Sequence, residues 1–196
     1  MGLTYPALAV LLGVSSLKAQ TLSFGVKAGL PLTDSVISGS GEPPNLSFDS
    51  TSKKYIVGVM GELGIVKRFS VEADFLYHPL NLREASVTYT TTANVTVTQY
   101  NFNVFEFPIM AKYRFSRKML TPFAEGGIIF RAPATLANEM FHLSAIGISV
   151  GGGMEFRARR LKISPEIRYT HWPSSSEDSY FWERRSQAAL LVGIAF

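Results

Sequence analysis

Along most of this chain apolar and polar residues alternate with a period of two. The segment from Phe105 to Phe115, FEFPIMAKYRF, is representative: its odd positions are all apolar or aromatic, whereas Glu106, Lys112 and Arg114 share the even positions. A β-strand turns successive side chains to opposite faces, so the segment has one apolar face and one charged face. The same period predicts strands at Thr21–Leu32, Lys54–Val66, Phe69–Tyr77, Tyr100–Phe115, Leu120–Arg131, Gly147–Arg159, Leu161–Trp172 and Ser186–Phe196. Each approaches the roughly 9–11 residues with which a tilted strand crosses a bilayer. Long connections rich in Gly, Pro, Ser, Thr and Asn (Thr33–Lys53, His78–Gln99, Ala132–Ile146, Pro173–Arg185) alternate strictly with tight ones around Lys67-Arg68, Ser116–Met119 and Arg160. In an up-and-down sheet alternate connections lie at opposite ends. The pattern therefore predicts an all-β fold, an eight-stranded antiparallel up-and-down transmembrane β-barrel with tight turns at one end and long loops at the other.

Two registers fit the alternation, and the charges decide between them. With the apolar faces outward, the inward set contains Lys27, Glu62, Glu72, Asp74, Glu106, Lys112, Arg114, Glu125, Arg131, Glu155, Arg157, Arg159, Glu166 and Arg168, seven acids and seven bases. An eight-stranded barrel is just wide enough inside to be filled by side chains, and a balanced set of charges can pair there. The opposite register would hold Lys112 and Arg114 against lipid, at about 2–4 kcal/mol each near the bilayer centre. A soluble lipocalin-like ligand-binding barrel, with its apolar face inside, is the alternative that periodicity alone allows. The aromatic positions favour the membrane: Phe69, Phe115 and Phe196 fall outward near the tight turns, and Tyr55, Tyr77, Phe105 and Tyr169 outward near the long loops, as two girdles.

The N-terminus sharpens this. Leu8-Ala-Val-Leu-Leu-Gly-Val14 is a short apolar run, followed by Ser15-Ser16-Leu17-Lys18-Ala19 with a small residue before a plausible cleavage point, although Met1–Pro6 lacks a basic residue. Residues 1–19 read as a signal peptide and 20–196 as the barrel domain. Charged residues make up 17% of the chain, against about 25% in an ordinary soluble domain. The net charge of +4 comes from dispersed Lys and Arg rather than a basic run, so nucleic acid is not an expected partner. With no cysteine, thiolate metal sites and thiol nucleophiles are excluded. Pro108 and Pro165 fall inside strands, where the missing N–H leads us to expect bulges; Gly58, Gly61, Gly64 and Gly151–Gly153 read as bends of a narrow barrel rather than a phosphate loop.

Several short stretches resemble one family. Glu106-x-Pro108 followed by Ala111-Lys-Tyr-Arg-Phe115, then Pro122-Phe-Ala-Glu-Gly126, Gly151-Gly-Gly-Met-Glu-Phe156, Ser164-Pro-Glu-Ile-Arg-Tyr169 and the ending Leu191-Val-Gly-Ile-Ala-Phe196 are similar to the PorT-like outer-membrane β-barrel family, from about Phe24 to Phe196. The resemblance implies an eight-stranded barrel in the bacterial outer membrane, in contact with its lipid and lipopolysaccharide. It also implies that Phe196 serves as the terminal aromatic signal read by the barrel-assembly machinery. Most members of the family have no assigned activity.

The functional expectation is a structural, adhesive or partner-docking barrel with a charge-plugged lumen, without enzymatic activity or cofactor. Residues 84–100 continue to alternate and form a candidate hairpin beyond the membrane, able to recruit an extracellular partner strand. A lipid-modifying enzyme is the alternative: His142-Leu-Ser144 with Glu155 resembles the pattern of outer-membrane lipid A deacylases, although Ser144 is followed by Ala145-Ile146 where that pattern has Asn-Ala. The remaining histidines, His78 and His171, are expected near the outer rim.

Overall fold

The computed structural model describes residues 21–34, 39–41, 46–50, 55–89, 93–116, 118–133, 145–173 and 184–196. The expected signal peptide at 1–19, and His142 and Ser144, lie outside them. Among the described residues there are ten strands: β1 (Leu22–Pro31), β2 (Gly39–Gly41), β3 (Leu46–Ser50), β4 (Ile56–Val66), β5 (Phe69–Tyr89), β6 (Ala93–Arg114), β7 (Leu120–Pro133), β8 (Ile146–Ala158), β9 (Leu161–His171) and β10 (Ser186–Ala195). Every pairing is antiparallel. β1 joins β4 on one side and β10 on the other, β4 joins β5, β5 joins β6, and β6 to β10 follow in order, closing an eight-stranded barrel. β2 and β3 form a hairpin outside the barrel, added to the edge of β5.

The barrel is apolar outside and charged inside. Along β9, Ile163, Ile167 and Tyr169 are exposed while Ser164, Glu166 and Arg168 are buried; along β6, Glu106, Lys112 and Arg114 are buried while Ile109 is exposed. This is the register that keeps charge away from lipid. The aromatic residues cluster on the β4–β6 wall. Phe69, Tyr113 and Phe115 touch near the tight turns, with centroids 4.7 and 5.2 Å apart, and Tyr55, Tyr77, Phe105 and Phe75 form a chain near the other end.

Two expectations are corrected. Pro108 and Pro165 cause no bulge. Pairing of β5 with β6 lapses opposite Phe107 and Pro108, and pairing of β8 with β9 lapses beside Pro165, yet the register is the same on both sides of each gap. Each proline keeps its pairing with its other neighbour, so the sheet loses part of one ladder rather than shifting. The register shift lies instead between Gly64 and Val66, beside the Lys67-Arg68 turn. The second correction concerns the long connection from His78 to Gln99, most of which is strand. β5 and β6 stay paired to Tyr89↔Ala93, although β5 leaves β4 after Tyr77 and β6 leaves β7 before Val104.

Candidate functional site

The lumen holds the densest chemistry among the described residues, and glycine makes room for it. Lys27 is paired across the sheet with Gly58 on one side and Gly193 on the other, and Gly151 lies opposite both Glu125 and Arg168. A Cβ at Gly193 would approach Ser164 Oγ at 2.8 Å and Met60 Sδ at 3.0 Å, and one at Gly151 would meet Glu125 Oε1 at 3.0 Å. The small residues are therefore the space into which long charged side chains fold.

At the tight-turn end Arg114 is the hub. Its Nε and Nη2 donate to Glu155 Oε2 at 2.9 and 2.8 Å, its Nη1 donates to Ser70 Oγ at 2.8 Å, and Nη2 also reaches Glu62. Lys162 closes on Glu62 at 3.2 Å, and Arg157, whose side chain is 38% exposed, pairs with Glu155. The central knot is drier. Lys27 binds Glu72, Asp74 (3.1 Å) and Glu166 (3.1 Å); Lys112 binds Glu72 and lies 3.5 Å from Glu125. Arg168 reaches Asp74 (3.0 Å), Glu125 (3.1 Å) and Glu166 (2.8 Å). Ionised groups so fully removed from water persist only when paired and hydrogen-bonded in this way.

Above the knot Ile56, Leu76 and Leu191 form an apolar layer. Beyond it, Glu106 accepts from Arg131 at 3.2 Å and lies 3.4 Å from His78 Nδ1, while the Arg131 guanidinium stacks on Trp172 at 3.7 Å and reaches Gln187 at 3.2 Å. A cavity of about 30 Å³ lies there, lined by His78, Glu106, Thr170, Trp172 and the apolar layer. That is room for ordered water, not for a drug-sized ligand.

The structure brings Lys27, Glu62, Glu72, Asp74, Glu106, Lys112, Arg114, Glu125, Arg131, Glu155, Arg157, Glu166 and Arg168 to the inner side of the wall, all but Arg157 of them buried. Arg159 is the exception. It sits exposed in the β8–β9 turn with φ 55°, because a two-residue turn needs a left-handed residue there. Its expected place in the network is taken by Lys162, which shares the inward parity of Ser164, Glu166 and Arg168. Parity also locates His78, which continues the Glu72, Asp74 and Leu76 face and points inward near the outer mouth; His171 is exposed.

Glu72, Glu125 and Glu166 each offer an oxygen within 4.8 Å of the others. A cation could be held by such a set, but Lys27, Lys112 and Arg168 already supply the positive charge at these oxygens. Glu155, the carboxylate of the deacylase-like pattern, is committed to Arg114 and Arg157 at the tight-turn end.

Comparison with known proteins agrees with this inside-out barrel. The sequence profile of the outer membrane protein beta-barrel domain family matches residues 18–132, more than half of the chain. The neisserial surface protein A is similar in fold, with a TM-score of 0.53 at 11% identity, over 91% of this chain and 98% of that one. The N-terminal β-barrel domain of Pseudomonas aeruginosa OprF aligns over 91% of this chain and 100% of its own, at 9% identity and a TM-score of 0.45. No curated protein matches the sequence. With its charges inside, its apolar wall outside and this family match, the chain belongs to the outer membrane protein beta-barrel domain family and resides in the bacterial outer membrane.

Proposed function

We propose that this protein is a non-enzymatic outer-membrane scaffold that presents the β5–β6 hairpin as a docking edge for an extended strand of an extracellular protein. The observation that carries the reading is the edge of β6. From Ala93 to Asn103, ANVTVTQYNFN, this strand pairs with β5 on one side and with no described residue on the other. At about 3.4 Å per residue the segment offers roughly 35 Å of open edge. It contains no charge and no proline, two of the devices by which exposed edges usually avoid pairing. The opposite edge of the hairpin already receives β3, at Leu82–Ser86, so the hairpin recruits strands from its own chain. Partner binding by strand addition uses the same backbone hydrogen bonds.

The filled lumen supports a scaffold rather than a diffusion channel. The position of Glu155 supports a non-enzymatic reading: it lies nine residues along β8 from Ile146, about 30 Å from the end where the loop holding His142 and Ser144 begins. Within the outer-membrane family, the matching Glu106-x-Pro108 and Gly151–Phe156 segments favour membership of the PorT-like branch, with assembly through the barrel-assembly machinery.

The test replaces Ser86–Thr96 by Asn-Gly, a two-residue turn that joins the paired residues Ala85 and Val97. A photo-crosslinking residue at Gln99 or Asn103 in growing cells is expected to give discrete protein adducts, weakened in the shortened hairpin, which keeps only Val97–Asn103 of the edge. A folded barrel with no adduct at either position would overturn the docking reading; an adduct of twice the barrel mass would identify a second copy as the occupant.

A further inference from the structure

The central knot is one positive charge short. Among the described residues it gathers four carboxylates, Glu72 and Asp74 of β5, Glu125 of β7 and Glu166 of β9, around three cations, Lys27 of β1, Lys112 of β6 and Arg168 of β9, with no side chain more than 3% exposed. The other strands do not make up the difference. β8 and β10 present glycines here, Gly151 and Gly153 beside Glu125 and Glu166, and Gly193 beside Lys27. β4 brings Glu62, a further acid, which is taken by Arg114 and Lys162. The basal cluster does hold one cation in excess, with Arg114, Arg157 and Lys162 against Glu62 and Glu155, but Arg157 is 38% exposed and solvent screens that surplus. Toward the mouth, Arg131 and His78 meet Glu106 beyond the apolar layer.

The hydrogen bonds carry the same shortfall. Glu72 has both oxygens engaged, one by Lys27 and the other by Lys112. Asp74 and Glu166 each receive Lys27 and Arg168 on a single oxygen, whereas Glu125 receives Arg168 at 3.1 Å with Lys112 farther off at 3.5 Å. The second oxygens, Asp74 Oδ1, Glu125 Oε2 and Glu166 Oε2, are buried and accept no hydrogen bond. Glu125 is also crowded by like charge, since Glu72, Glu125 and Glu166 each place an oxygen within 4.8 Å of the others. Out of water, a carboxylate with no counter-charge costs far more than a neutral acid of the same shape. We propose that the folded barrel binds one proton in this knot, carried by Glu125, the carboxyl with the fewest close cations, as a neutral carboxylic acid. Three ionised carboxylates then face three cations. The proton comes from solvent as the lumen closes, forming one O–H bond on a group that is ionised at neutral pH when exposed in the unfolded chain.

The experiment follows the folding equilibrium of the full-length barrel, read from urea titrations in detergent micelles, between about pH 7.5 and pH 9 at fixed ionic strength. That range lies below the titration of exposed tyrosine and lysine. A native state holding one proton more than the unfolded chain loses stability as pH rises, and the expected fall is about tenfold in the equilibrium constant per pH unit. Glu125→Gln, which puts a neutral side chain of the same shape in place of the acid, is expected to remove the slope and to be less damaging at pH 7.5 than Glu72→Gln. His78→Gln and Arg157→Gln, which alter the groups beyond either end of the knot, are expected to keep the slope. A flat profile in the unaltered barrel overturns the proposal, as does a slope that Glu125→Gln keeps or His78→Gln abolishes. Stability that ignores pH but rises with sodium at constant ionic strength also overturns it, since a metal ion would then supply the missing charge. If Glu125→Gln does not refold, the infrared spectrum of the unaltered barrel at about pH 8 decides: one protonated-carboxyl C=O band is expected, and its absence overturns the proposal.

Discussion

At the residue scale this barrel depends on the ion pairs of its buried charges. Arg168 binds three carboxylates at 2.8–3.1 Å with its side chain 3% exposed. Replacing it by Met leaves Asp74, Glu125 and Glu166 with less positive charge in a site that water cannot reach. We expect Arg168→Met to cost about 3–5 kcal/mol, read as a fall in the urea midpoint of the refolded barrel, with little dependence on salt. Arg157→Met removes a formally similar ion pair, but its side chain is 38% exposed. Solvent screening limits that loss to less than about 1 kcal/mol. Equal losses in the two variants would contradict a dry central knot.

At the element scale the strands are held by close backbone approach as much as by their sequence pattern. A Cβ at Gly127 would lie 1.9 Å from Ile109 O on the neighbouring β6. The expected cost of Gly127→Ala is about 1–3 kcal/mol, with slower refolding into detergent micelles as a second readout. The hairpin belongs to the same scale but stands apart energetically, because it extends beyond the closed wall. Replacing Ser86–Thr96 by Asn-Gly should therefore leave heat-modifiable mobility and the urea midpoint of the barrel unchanged. A loss of barrel stability would show that the hairpin is part of the folding unit rather than an appendage.

For the whole molecule, closure and filling combine to decide transport. The lumen contains a basal cluster around Arg114, a central knot around Lys27 and Arg168, an apolar layer and the Arg131–Trp172 cap, with a cavity of about 30 Å³ near the outer mouth. Planar-bilayer recordings are expected to show no steady open current. Large stable conductance would mean that the network rearranges in the membrane.

The sequence by itself determined the eight wall strands, their inside-out register and most of the lumenal charges. It could do so because a strand's period of two leaves only two choices of face, and Lys112 and Arg114 make one of them prohibitive in lipid. It also determined which end has tight turns. The tertiary structure decided what periodicity does not encode. It placed Arg159 in a turn and Lys162 in the network, since the last inward residue of a strand depends on where the chain reverses. It turned His78 inward, because β5 runs on past Tyr77 through pairing with β6 rather than ending there. It absorbed Pro108 and Pro165 as gaps in one ladder, since each strand's second neighbour keeps the register. Which carboxylate meets which cation was likewise settled only by closure, because the partners come from strands as distant in sequence as β1 and β9, which are brought to either side of β10 only when β1 pairs with it.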